Sequence, residues 1–196
     1  VGLSGSESDV SYEVFRNDTN SVAVTGGIGA ALPFGSFDSA GIYTVVATRT
    51  ATGCKDTMNG SSTITIYPLP LVDTVSGGGV YCYGYPGAPV YLSGSEINVN
   101  YNLYRDTFST MVMSLPGSGT SLNYGLLEPP GTYHVIAVNA TTGCVSAMDS
   151  QAVNIRNPLP LLHAIAGGGG YCTGASGVHI YLDASNAGKR YELYKG

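Results

Sequence analysis

The chain repeats itself at a period close to 90 residues, and that repetition constrains the fold more than any other feature. "VGLSGSESDVSYEVFRN" (1–17) returns as "VYLSGSEINVNYNLYRD" (90–106) and, more loosely, as "IYLDASNAGKRYELYKG" (180–196). The first offset is 89 residues and the second 90. "AGIYTVVATRTATGC" (40–54) recurs as "PGTYHVIAVNATTGC" (130–144), "YPLP" (67–70) as "NPLP" (157–160), and "SGGGVYCYG" (76–84) as "AGGGGYCTG" (166–174). The single-residue change in offset falls between Arg16 and Gly41, where a loop absorbs it. A period of this size is too long for one solenoid turn and fits a small β-domain repeated in series. The phase predicts three stretches: 1–67, a repeat lacking its first strands; 68–157, a complete repeat; and 158–196, the start of a third. They read as part of a longer tandem array.

Gly, Ser, Thr, Val and Tyr dominate each copy, and no segment carries apolar residues at sustained helical spacing. Short alternating runs broken by Gly, Pro, Asn and Ser predict an all-β chain. In the complete repeat, strands are expected at "PLPLVDTVSG", "PVYLSGS", "VNYNLYRD", "SLNYGLL", "GTYHVIAVN" and "CVSAMDSQAVNIR". Val99, Tyr101 and Leu103 then share one face, as do Tyr133, Val135 and Ala137. About seven strands with intervening turns predict a tandem array of immunoglobulin-like β-sandwich domains. "DSAGIYTV" places Asp38, Gly41 and Tyr43 at the spacing of a tyrosine corner, in which the phenol bonds back to the backbone; Gly131 and Tyr133 repeat it. The cysteine that antibody-type domains carry two residues after that tyrosine is replaced by Val45 and Val135, so the expectation stays with the broad sandwich class.

Charge is sparse: 13 acidic residues against 8 Lys and Arg, for a net charge of −5. No basic face is available to neutralise a phosphate backbone, which argues against nucleic acid as a partner. No apolar run reaches the length of a membrane span. Few charges and many small polar residues suit an extracellular surface.

Four cysteines occupy two settings, "YC" (Cys82, Cys172) and "TGC" (Cys54, Cys144). One of each per repeat predicts disulfides. The first expectation is Cys82–Cys144 within the complete repeat, with Cys54 and Cys172 paired outside this stretch. The alternative is Cys54–Cys82 with Cys144–Cys172, which staples neighbouring repeats. Loop entropy does not separate the two. A zinc site is not expected, because the nearest cysteines lie 28 residues apart and His134, His163 and His179 do not recur.

"GGGVYCYG" lacks the following helix and the Lys of a phosphate loop, so it reads as a glycine-permitted bend. "SGSE" repeats without any recurring His, which argues against a nucleophile and base. No cofactor is predicted, and no enzyme. Asp73 becomes Ala164 in the next copy, against calcium-bridged joints. No Lys recurs, which disfavours an intramolecular Lys–Asn bond. Sequons stand at Asn59 and Asn139, and Asp-Ser/Thr-apolar triplets begin at Asp38, Asp56 and Asp73. Tyr83, Tyr85 and Tyr124 are candidates for a sticky surface, although Tyr83 and Tyr85 become Thr173 and Ala175 in the next copy.

The combination "GGGVYCYG", "YLSGSE", "GTYHVIAVNATTGC" and "NPLP" resembles immunoglobulin-like repeats of giant Bacteroidota surface proteins, the gliding-motility adhesins of the SprB type. The resemblance covers all 196 residues. It implies type IX secretion, a place on the cell surface, and O-glycosylation at Ser39, Thr57 and Thr74. The expected role is structural, as modules of a long adhesin, stalk or filament. Neighbouring repeats, and lateral or head-to-tail filament contacts, are the expected partners. The alternative is a ligand- or glycan-binding adhesin.

Overall fold

The computed structural model describes residues 1–195. Among them the chain is all-β, with no helix, and it divides into two compact units, Val1–Pro68 and Leu69–Gly196.

The first unit contains β1 (Gly2–Leu3), β2 (Val10–Arg16), β3 (Asn20–Gly26), β4 (Leu32–Pro33), β5 (Gly41–Arg49), β6 (Lys55–Thr57) and β7 (Ser62–Ile64). Its larger sheet runs β3-β2-β5, with β6 and β7 sharing the far edge of β5, and β1 pairs with β4 separately. Val10, Tyr12 and Val14 alternate inward on β2, and Tyr43, Val45 and Ala47 on β5. With Leu32 from β4 they form the core.

The greater part of the second unit comprises β8 (Val75–Cys82), β9 (Ala88–Leu92), β10 (Val99–Arg105), β11 (Met111–Pro116), β12 (Leu122–Leu127), β13 (Gly131–Asn139), β14 (Val145–Ala147) and β15 (Ala152–Asn157). One sheet is β8-β9-β12; the other is β11-β10-β13, followed by β14 and β15 along one edge of β13 and then by β8 again. Val90, Leu92, Leu122 and Tyr124 from the first sheet meet Tyr101, Leu103, Tyr133 and Val135 from the second in one core. The shared faces expected on β10 and β13 are observed, and they are the buried ones.

Three boundaries differ from the sequence reading. The first strand starts at Val75 and runs through the glycines to Cys82, because the Pro-rich stretch before it donates little to a ladder. The final segment is two strands, interrupted where Ser150 adopts a φ of 63°. β11 was not expected; its inward residues Met113 and Leu115 are only partly covered, so its alternation is weak.

The last stretch contributes a hairpin of β16 (Ile165–Gly167) and β17 (Ile180–Leu182). Its register, Ile165↔Leu182 and Gly167↔Ile180, repeats Val75↔Leu92 and Gly77↔Val90 of β8 and β9.

Candidate functional site

What recurs across the copies is a set of positions that hold the chain in shape. The tyrosine in the middle of β2 donates its phenol proton to no acid; instead its oxygen accepts from a backbone N–H in the preceding loop. Glu7 N–H bonds Tyr12 Oη at 2.9 Å, Glu96 N–H bonds Tyr101 Oη at 2.8 Å, and Asn186 N–H bonds Tyr191 Oη at 2.9 Å. The serine of "SGSE" completes this bracket. Ser6 Oγ donates to the Ala30 carbonyl and accepts from Ile28 N–H, while Ser95 Oγ donates to Thr120 and accepts from Ser118 N–H. These hydroxyls are engaged in loop closure. The corner bonds are also present: Tyr43 Oη donates to the Ser39 carbonyl at 2.7 Å and Tyr133 Oη to the Pro129 carbonyl at 2.6 Å.

The repeated glycine stretch is a switch between sheets. Residues 75–77 pair antiparallel with β9, and residues 78–82 pair parallel with β15. The backbone crosses at Gly77 (φ 98°) and Gly78 (φ 78°), in a region side chains disfavour. A Cβ on Gly78 would also stand 2.5 Å from the Val153 carbonyl oxygen. Gly167 and Gly168 repeat the conformation with φ of 90° and 82°.

A second tie joins the two sheets. Asn154 on β15 is 2% exposed, and its Nδ2 donates to the carbonyls of Leu127 (2.7 Å) and Ala88 (3.3 Å) in the opposite sheet. Its Oδ1 has no partner, nor does the buried hydroxyl of Tyr81. Burial raises the phenols of Tyr124, Tyr101 and Tyr133 above the ordinary tyrosine range.

The cysteines stand apart from one another. Cys82 lies beside Asn157 on β15, three residues past Asn154, which faces Gly131 at the start of β13. The Cys144 carbonyl accepts from Asn139 N–H at the other end of β13. The separation is on the order of 35 Å along the strands, whereas a disulfide needs Cα atoms within about 7 Å. The expected Cys82–Cys144 bond therefore does not fit this fold: the two residues occupy opposite ends of one sandwich. No two of the four cysteines are bonded to each other; Cys54, Cys82 and Cys172 are exposed and Cys144 is partly buried.

The other candidates are dispersed. Thr57 and Thr74 are exposed and Ser39 is half-buried, with its hydroxyl 3.2 Å from Asp38 Oδ1. Asn59 is exposed; Asn139 Oδ1 accepts from Thr141 and Thr142 N–H in a turn. Tyr83 and Tyr85 are 59% and 62% exposed, with the Arg156 guanidinium 5.2 Å from the Tyr83 ring centre. Tyr124 is not a surface residue: it is 4% exposed, in the core, and donates to the Tyr101 carbonyl. Among the described residues no three His, Cys, Asp or Glu side chains converge as metal ligands, and no helix is long and apolar enough to cross a membrane.

The fold and its repeated constellation define a class, the β-sandwich built from hydrogen-bonded loop brackets and a sheet-switching strand. No protein family matches the chain, and no curated protein sequence matches it.

Proposed function

We propose that the chain is a run of structural modules from a long extracellular adhesin, stalk or filament, each module an immunoglobulin-like sandwich. The observation that carries this reading is the polarity of the complete repeat. The chain arrives beside Ser146, whose Oγ donates to the Pro70 carbonyl, and leaves beside Cys82, where Tyr83 N–H bonds the Asn157 carbonyl. A domain crossed from end to end adds its full length to an array, and the Pro-rich joints "YPLP" and "NPLP" favour extended linkers. The recurring residues are those that brace loops and strands, while the exposed Tyr83 and Tyr85 give way to Thr173 and Ala175. The resemblance to surface adhesins supports export by type IX secretion and a place on the cell surface. Exposed Thr57 and Thr74, together with Ser39, are the proposed O-glycan positions.

Small-angle scattering on this chain and on versions carrying further copies tests the reading. Maximum dimension is expected to grow by roughly 40 Å per added copy, the length of a strand-spanned module. Growth well below that, or saturable binding of one glycan on an array of immobilised sugars, would replace the structural reading with the ligand-binding one.

A further inference from the structure

We propose that the cysteines form a head-to-tail relay, in which the "YC" cysteine of one copy bonds the "TGC" cysteine of the copy that follows it. The inference rests on the tandem-array reading and adds its covalent wiring. Three observations converge. Cys82 stands beside Asn157, where the chain leaves its sandwich. Cys144 stands two residues before Ser146, which holds Pro70 where the chain arrives. The joint between those places is short: Asn157 to Pro160 repeats Tyr67 to Pro70. Three residues span at most about 11 Å. They therefore link the residue beside one "YC" cysteine to the residue that takes the place of Pro70 in the next copy. Both cysteine types recur once per copy, and Cys82 is exposed to a partner.

The same polarity counts against the pairings weighed from sequence alone. Cys54 lies at the Arg49 end of β5, accepting from Arg49 N–H, whereas β7, the last strand before the joint, pairs with the Gly41 end. Cys82 is likewise at the end of its own sandwich remote from Pro70. Each thus faces away from the joint that a Cys54–Cys82 bond would have to cross, and Cys144 faces away from the joint leading to Cys172. In this wiring each of the four thiols takes a partner that lies outside residues 1–196.

The bond forms by thiol–disulfide exchange with a small disulfide such as oxidised glutathione. One cysteine thiolate attacks it, giving a mixed disulfide and one glutathione thiol. The second cysteine then displaces the other glutathione, so two cysteine thiols are oxidised and one disulfide is reduced to two thiols.

Two measurements decide the matter, both by non-reducing peptide mapping of monomer oxidised with glutathione buffer. In the chain as it stands, each cysteine is expected as a free thiol or a glutathione adduct. A Cys82–Cys144, Cys54–Cys82 or Cys144–Cys172 peptide overturns the relay. In the full chain extended after Gly196 by a copy of residues 107–157, Cys82 is expected to bond the appended "TGC" cysteine, and Cys82→Ser to leave that cysteine free while Cys54→Ser does not. Cys82 remaining free, with the appended strands protected from hydrogen exchange, also overturns it. The array reading is judged separately by scattering, so a rod without the crosslink sinks only the relay.

Discussion

The first and second copies agree in one half of the sandwich and differ in the other. β2 and β5 pair from Val10↔Arg49 to Arg16↔Tyr43, and β10 and β13 from Val99↔Asn139 to Arg105↔Tyr133, the same register throughout. Even the irregularity recurs, at Val14/Phe15 against β3 and at Leu103/Tyr104 against β11. The covering sheet differs in extent. In both units a strand pair covers the core in the same register, β1-β4 with Leu3↔Leu32 and β9-β12 with Leu92↔Leu122, and the second unit adds β8, which continues into the opposite sheet. The central pair is therefore specified by its own residues, with alternating apolar side chains, a tyrosine bracket and a tyrosine corner. In the second unit the cover also includes a strand that changes sheets.

The largest effect expected from breaking this contrast is at the switch. Gly78→Val places a branched side chain at a positive φ against the Val153 backbone. It should cost about 4 kcal/mol or more, as strain and overpacking add. Hydrogen exchange is expected to show lost protection in β8, β15 and β13, with β2 and β5 unaffected. Equal loss in both units would mean that the first depends on the second's cover.

A smaller effect is expected at the inter-sheet tie. Asn154 is buried between the sheets, whereas the residue one period earlier is Ile64, which packs against the first core. Asn154→Ala removes both bonds donated across to the Leu127 and Ala88 carbonyls, a loss of about 2 kcal/mol. A shift in the denaturant midpoint of the second unit measures it; no shift would mean that the orphaned Oδ1 offsets what the donors contribute.

The mildest perturbation is alkaline pH. Burial keeps Tyr101, Tyr124 and Tyr133 neutral in the folded state, so their folded pKa values lie above the unfolded value of about 10. Above that pH the unfolded chain binds fewer protons than the folded one, so stability falls as pH rises; below it the contribution is complete. Absorbance at 295 nm should therefore show these three ionising only with loss of the native circular dichroism. Titration of all 15 tyrosines near the ordinary value with the fold intact would contradict their burial.

Much of the scaffold was legible in the sequence because strand faces follow a period of two. Alternation puts Val99, Tyr101 and Leu103 on one face and Tyr133, Val135 and Ala137 on one face, and those faces are the buried ones. The corner phenols were legible for the same kind of reason: Tyr43 and Tyr133 each reach a carbonyl four residues upstream, a local contact. β11 was missed because its inward residues are only half covered. Tyr124 was misread as a surface group because a tyrosine within a weak strand pattern carries no local mark of which face is wet.

The sequence by itself determined the period, the strand class, the shared faces of the central strands and the recurrence of each cysteine type, since each is read by comparing residues along the chain. Only the tertiary structure decided that the glycines carry one strand from sheet to sheet, and that Cys82 and Cys144 stand at opposite ends. Both depend on which strand lies beside β15, a pairing between residues more than seventy positions apart, such as Val153 and Gly78. Spacing along the chain gives no measure of distance across a folded sandwich, and it is that distance that separates the two thiols.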